Sequence, residues 1–192
     1  MTSARRILVL GGGFAGLWSA LAAARTREAL GAQQIEIVLL NDTPWHSIRV
    51  RNYEADLSQT RVALDEGLIP VGVRRLEGKV TGIDVATKTV AYDDAEGPKT
   101  LDYDRLVFAL GSQLSRPNLP GLAEHGFDVD TYGAAMRLNE HIAGLGPRAA
   151  STVLVVGGGL TGIEAAAEMP GKLRAAGVTA PHVILADHAP RI

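Results

Sequence analysis

Two glycine clusters share one spacing. Gly11, Gly13 and Gly16 form G-x-G-x-x-G, and Gly157, Gly159 and Gly162 repeat it in the same frame. In such a run the first glycine allows a tight turn, and the second lets a phosphate approach the backbone. The third lets the following helix sit close to the preceding strand. Unpaired N–H groups and the positive dipole end at the helix start then attract an anion. The chemistry on offer is the cradling of a pyrophosphate, as in a dinucleotide. A lone copy reads equally as an empty glycine turn, but two copies in one frame are far more specific. Thirty positions separate Gly11 from Asn41, and thirty separate Gly157 from Asp187. In a βαβ nucleotide unit the residue closing the second strand meets the ribose hydroxyls. Asn41 could hydrogen-bond such a hydroxyl without bringing charge, whereas Asp187 is acidic. Asn41-Asp42-Thr43-Pro44 also reads as a plain turn, and the two readings are compatible.

Each cluster needs a strand before it and a helix after it. Residues 7–10 are an apolar strand, and Leu17, Ala20, Leu21 and Ala24 give the next helix one apolar face. Gly31 is a plausible stop for that helix. Residues 35–40 read as a second, buried parallel strand. Residues 45–54 mix aromatics with arginines, as a ligand-facing loop or a short helix would. His46 in that stretch reads more readily as structural or exposed than as catalytic. Arg49 and Arg51 could neutralise a pyrophosphate, although a solvated face accounts for them more simply. Residues 71–73 form a short strand candidate, and 78–84 with 88–93 suggest a hairpin. Gly97-Pro98 reads as a break, and 101–110 as a strand running into a small-residue turn. The order implies a three-stranded antiparallel insert within residues 71–104.

Residues 115–121 are rich in Pro and Gly and mark the best domain boundary. A helix over 134–142 is stopped by Gly144, Gly146 and Pro147. The second strand–turn–helix follows, with Pro170-Gly171 expected to end or kink its helix. Residues 182–187 are its second strand. A flavin and a nicotinamide nucleotide each contain an ADP half, so an enzyme passing hydride between them needs two such cradles.

Composition narrows the class further. With 192 residues and 46% hydrophobic content the chain can build a core. A formal net charge of −2 gives no sign of nucleic-acid binding. The absence of cysteine excludes disulfides, thiolate metal sites and a redox-active cysteine pair, and no metal site is expected. The Arg5-Arg6 pair resembles the start of a signal peptide, but the apolar run after it breaks at Gly11. No stretch approaches the roughly 18 apolar residues of a membrane span. A soluble, cytoplasmic protein is expected.

With both clusters read, the chain resembles the two-dinucleotide-binding-domain flavoproteins of the pyridine nucleotide-disulfide oxidoreductase-like superfamily. Within them it is most similar to the type II NADH dehydrogenase and apoptosis-inducing-factor-like branch. The matching pieces are residues 7–16, 103–112, 119–121, 155–164 and 187–192. The resemblance implies an α/β chain with tandem Rossmann-like folds, the antiparallel insert, and a second fold that is incomplete. The first fold, 1–118, would bind FAD and the second, 119–192, NAD(P)H. Gly11, Gly13, Phe14, Ala15 and Gly16 would lie along the FAD pyrophosphate, with Asn41 near the adenosine ribose. Val80 would meet the adenine through its backbone. Ala109, Leu110 and Gly111 match the family's Ala-Thr-Gly turn beside the flavin, Leu110 replacing Thr. Gly157, Gly159 and Gly162 would hold NAD(P)H, and Asp187 would favour NADH by repelling the 2′-phosphate of NADPH. Glu164 matches a glutamate near the nicotinamide–flavin contact and is the one candidate catalytic residue; complementarity to the helix dipole is the alternative account of it.

The implied activity takes hydride from NADH to FAD and passes electrons to a quinone or another acceptor. Disulfide-reductase and sulfide-oxidising branches fit poorly without cysteine. Because the second fold stops after one βαβ unit, the chain reads as an N-terminal fragment. Any peripheral membrane contact would then come from the region beyond it, and the oligomeric state is not legible. A truncated, non-catalytic dinucleotide-binding remnant is the alternative, and a flavin monooxygenase a less fitting third.

Overall fold

The computed structural model describes residues 5–189. The first four residues of the N-terminal reading, and Pro190-Arg191-Ile192 at the end of the last matching piece, lie outside the described residues. The chain packs as two units. The first comprises residues up to 47 together with 61–112; the second comprises 48–60 and everything from 113 on.

In the first unit the apolar run Arg5–Leu10 is strand β1, Phe14–Ala29 is helix α1, and Ile35–Asn41 is strand β2. Trp45–Ser47 (β3) pairs antiparallel with Arg61–Ala63 (β4), which leads into the short helix α2 at Leu64–Leu68. Arg74–Glu77 (β5) then joins the main sheet. Lys79–Asp84 (β6), Thr89–Asp94 (β7) and Gly97–Asp102 (β8) form a three-stranded antiparallel sheet. Arg105–Phe108 (β9) returns to pair parallel with β1. The main sheet is wholly parallel, in the order β5-β2-β1-β9.

Strand side chains alternate between faces, so β1 and β2 divide their apolar residues between two cores. Val9, Ile37 and Leu39 face Ala20 and Ala24 of α1 and Leu64 and Leu68 of α2. Leu8, Leu10, Val38 and Leu40 face Val90, Tyr92 and Tyr103 on the side of the antiparallel sheet. Covering on both faces is why these strands are continuous apolar runs rather than alternating ones. Leu17 and Leu21 pack against the α1 side, as their spacing predicts, and Gly31 leaves the helix in the left-handed region at φ 61°.

In the second unit, residues 48–60 include a 3-10 turn at Arg49–Arg51. Two short helices follow the connector: Leu122–His125 (α3) and Tyr132–Ala143 (α4). Thr131 caps α4 by accepting the Ala134 N–H at 3.2 Å. Arg148–Val156 (β10) and Val178–Ala186 (β11) pair parallel, with helix α5 at Leu160–Ala175 between them. Ile142, Met169, Leu173 and Val178 make a small core there.

Four local expectations need correction. Residues 71–73 are not a strand. Ile69–Val71 is a 3-10 turn, Gly72 takes φ 64°, and the strand starts at Arg74. Gly97-Pro98 does not break the insert but opens β8, an outer strand where the missing proline N–H costs no interior ladder bond. The strand over 101–110 divides between β8 and β9 at Tyr103-Asp104. Pro170 lies inside α5, which runs on to Ala175 because Met169 and Leu173 on either side of it are buried together in the small core. The connector has no regular secondary structure from 109 to 119, and the expected boundary at 118 falls within it.

Candidate functional site

The two glycine turns have nearly the same backbone. Gly11 takes φ 99° and Gly157 φ 113°, a region that L side chains rarely adopt. The Gly11 N–H donates to the Leu40 carbonyl at 2.8 Å, and the Gly157 N–H donates to the Ala186 carbonyl at 2.8 Å. A Cβ on Gly16 would collide with the Gly11 carbonyl, and one on Gly162 with that of Gly157. This is the close helix–strand approach that the third glycine permits. Gly13 and Gly159 are the N-cap residues of α1 and α5, and no side chain caps either helix. A Cβ at either would meet nothing within 4 Å, so both turns open onto free space at the phosphate-binding glycine.

The residue closing each second strand braces its turn. Gly12 N–H donates to Asn41 Oδ1 at 2.7 Å, while Asn41 Nδ2 donates to the Thr43 carbonyl at 2.8 Å. Gly158 N–H donates to Asp187 Oδ2 at 2.5 Å, and Asp187 Oδ1 accepts the Ala189 N–H at 2.7 Å. These backbone donors, Gly158 first, hold the Asp187 carboxyl below its ordinary value, with the neighbouring His188 adding to the effect. The carboxylate is therefore charged at neutral pH.

The first turn is pinned a second time. His46, 7% exposed, donates from Nδ1 to the Gly12 carbonyl at 2.8 Å and meets Phe14 edge-on at 4.7 Å. Ala109, which donates its N–H to the Leu10 carbonyl at 2.9 Å, lies against Gly11. Gly111 follows at φ 75°. Gly78 N–H donates to the Asn41 carbonyl at 2.8 Å, which brings the start of β6 to the end of β2. Val80, two residues on, keeps its side chain against the antiparallel-sheet core and pairs with Tyr92 beside a β-bulge. The first unit thus gathers Gly11, Gly13, Phe14, Gly16, Asn41 and Ala109 around one turn.

Near the end of β2 a cleft of about 410 Å³ opens between Asp42, Gly78, Lys79 and the β7–β8 hairpin. Its wall carries Asp42, Glu77, Asp93, Asp94 and Glu96 against Lys79 and Lys99. The acidic excess repels a phosphate, which leaves phosphate to the glycine turn.

Glu164 is exposed and stands beyond the first turn of α5, so the helix dipole accounts poorly for it. Tyr53 in the second unit feels it. Loss of hydration, and then the negative charges of Glu164, Glu54 and Glu168, push the Tyr53 phenol up. Segment 48–60 is held in this unit by several contacts. Arg49 pairs with Asp130, and Asn139 Nδ2 donates to the Ala55 carbonyl at 3.1 Å. Buried Lys172 donates to Asn139 Oδ1 at 2.8 Å, and burial pushes its ammonium down. Arg49 and Arg51 are engaged in ion pairs, Arg51 with Glu54 at 2.5 Å. The sequence carries no signal for Tyr53, Asn139 or Lys172, because they meet from segments far apart in the chain. Among the described residues no group of three or more His, Cys, Asp or Glu could hold a metal ion. No helix among them is long and apolar enough to cross a membrane.

A parallel strand, a glycine turn with a left-handed first glycine and a helix packed on that turn, present twice, define a Rossmann-like dinucleotide-binding α/β protein. The sequence model of the pyridine nucleotide-disulphide oxidoreductase family matches residues 5–192, and the chain belongs to that family. It is 50% identical over 196 residues to an NADH dehydrogenase-like protein of Mycobacterium tuberculosis, covering 96% of this chain and 48% of that protein. It is 35% identical over 182 residues to the demethylphylloquinone reductase NdbB of Synechocystis, covering 90% of this chain and 45% of that one. The chain spans about half the length of these curated relatives. Among solved structures, NDH2 of Plasmodium falciparum in complex with NADH shares the fold. Its TM-score is 0.68 at 18% identity, with 89% of this chain and 38% of that chain covered.

Proposed function

We propose that this chain carries the two dinucleotide cradles of a flavoprotein that oxidises NADH and delivers the electrons to a quinone or a similar acceptor. The observation that carries the reading is the pair of open glycine turns with matched φ angles and matched backbone hydrogen bonds. FAD is assigned to the first turn, and its isoalloxazine would supply the two-electron redox chemistry. The backbone around Gly11, Gly13, Phe14, Ala15 and Gly16 binds the pyrophosphate, and the acidic cleft beside Asn41 takes the uncharged adenosine end. Val80 meets the adenine through its main chain, and Ala109 and Gly111 border the flavin. Gly157, Gly159 and Gly162 receive the NADH pyrophosphate. Asp187, held ionised by the Gly158 and Ala189 N–H groups, disfavours a 2′-phosphate and so selects NADH over NADPH. Glu164 carries a carboxylate to the nicotinamide end. The family relationship and the quinone-reducing relative support this assignment. A cytoplasmic location, with any membrane contact peripheral, is part of the same proposal.

The test is titration of the purified chain with FAD and NADH, followed by visible absorbance. Bound flavin that bleaches on adding NADH is expected. Gly13→Val should abolish flavin binding, and Gly159→Val should spare the flavin but abolish bleaching. A folded chain that binds no flavin overturns the reading. Flavin that binds but never bleaches reduces it to nucleotide binding alone.

A further inference from the structure

His46 does something to the first turn that no side chain among the described residues does to the second. A carbonyl oxygen only accepts, so the 2.8 Å contact with Gly12 requires the proton on Nδ1. The ring is buried, sits in the β3–β4 pair opposite Val62, and is held edge-on by Phe14. No peptide here is cis, and in a trans peptide the C=O and the following N–H point in opposite directions. Pulling the Gly12 carbonyl towards His46 therefore turns the Gly13 N–H the other way, while Asn41 fixes the preceding peptide through the Gly12 N–H.

We propose that His46 is a positioning residue that pre-sets the Gly13 N–H for a dinucleotide phosphate and so makes the first cradle the one for a resident cofactor. The inference rests on the assignment of FAD to that turn. In the second copy Asp187 plays the part of Asn41. A turn fixed on both sides binds with less ordering cost and holds its ligand longer. A turn fixed on one side suits a nucleotide that must leave after each turnover.

The experiment uses the whole 15N-labelled chain. His46 ring nitrogens report the tautomer, and ADP and adenosine titrations are followed separately at the Gly13 and Gly159 amide resonances. The expected tautomer is Nδ1–H. His46→Phe keeps the ring volume and the Phe14 contact but removes the donor. It should weaken ADP at Gly13 by about fivefold, the scale of one net hydrogen bond, and leave adenosine and the Gly159 response unchanged. His46→Asn, whose Nδ2 falls where Nδ1 stood, should restore most of the loss and covers the case in which the Phe variant fails to fold. Unchanged ADP affinity in His46→Phe, an equal loss for adenosine, or an Nε2–H tautomer overturns the inference. A wild-type chain that binds ADP at neither turn overturns the dinucleotide reading instead, and the ligand role of His46 with it.

Discussion

Leu8 and Leu154 occupy the same place in two copies of one sequence pattern, yet Leu8 is fully buried and Leu154 is 58% exposed. The next pair on that face behaves alike, with Leu10 buried and Val156 exposed, as does Val38 against Ile184 on the second strands. Both copies have a helix on the opposite face. The difference is the antiparallel sheet β6-β7-β8, whose Val90, Tyr92 and Tyr103 close the remaining face of the first sheet. Among the described residues nothing does so for β10 and β11, whose outward face stays apolar and open. The two strand–turn–helix modules therefore fold nearly the same phosphate turn, although among the described residues only the first sheet is covered on both faces. Local hydrogen bonds and glycine backbone freedom decide the turn, and distant segments decide the burial.

The strongest way to break this comparison is to truncate the paired leucines. Leu8→Ala should cost about 3 kcal/mol of the first unit's stability, as buried leucines do. Leu154→Ala should change the second unit by less than about 0.5 kcal/mol. Residue-resolved hydrogen exchange reads both units in one sample, and equal losses would sink the contrast. Next come the close-approach glycines. Gly16→Ala and Gly162→Ala each force a Cβ into a carbonyl and should destabilise by about 2 kcal/mol, the scale of overpacking. The first should cost more, since Ala109 also packs there. Urea unfolding followed by tryptophan fluorescence reports the first unit, where both Trp18 and Trp45 lie, and hydrogen exchange of the α5 amides reports the second.

A gain rather than a loss is expected at Pro170, which stands in α5 where α1 has buried Ala24. Pro170→Ala returns a helix N–H donor and should raise the second unit's stability by about 1–2 kcal/mol. Protection of the α5 amides would check this. The smallest effect concerns pH. Because the folded Asp187 carboxyl lies below its ordinary value of 3.8, its stabilisation is fully present above that pH and is lost as pH falls through the lower folded value. The stability difference between wild type and Asp187→Asn, followed by circular dichroism, should therefore close on acidification. In the first copy the Asn41 brace carries no charge, so Asn41→Ala should show a difference independent of pH over that range.

Much of the candidate site is legible in the residues alone. The glycine spacing locates both turns, the interval of thirty residues locates Asn41 and Asp187, and Leu17, Ala20, Leu21 and Ala24 mark the apolar face of α1. The differences are local. Val71-Gly72-Val73 resembles a strand because two β-branched residues outweigh one glycine, and tertiary context reverses that preference. Pro170 resembles a helix end because propensity ignores the packing of Met169 and Leu173 that carries the helix across it. His46 reads as structural or exposed rather than catalytic, and it is buried, not exposed; that it grips the glycine turn depends on β3 folding back over Gly12.

By itself the sequence determined the two turns, because left-handed glycines and strand-to-helix transitions are short-range properties set by neighbouring residues. It determined β1, α1 and β2 and the hairpin of β6 and β7 for the same reason, whereas β3, β4, α2 and the true start of β8 at Gly97 were not legible in it. Only the tertiary structure decided that residues 48–60 pack with the second unit, where Arg49 finds Asp130 and Ala55 finds Asn139. It alone decided that Leu8 is core while Leu154 is surface. Burial and ion pairing are properties of residues that meet in space, and the identity of the partner is not written in the residue that waits for it.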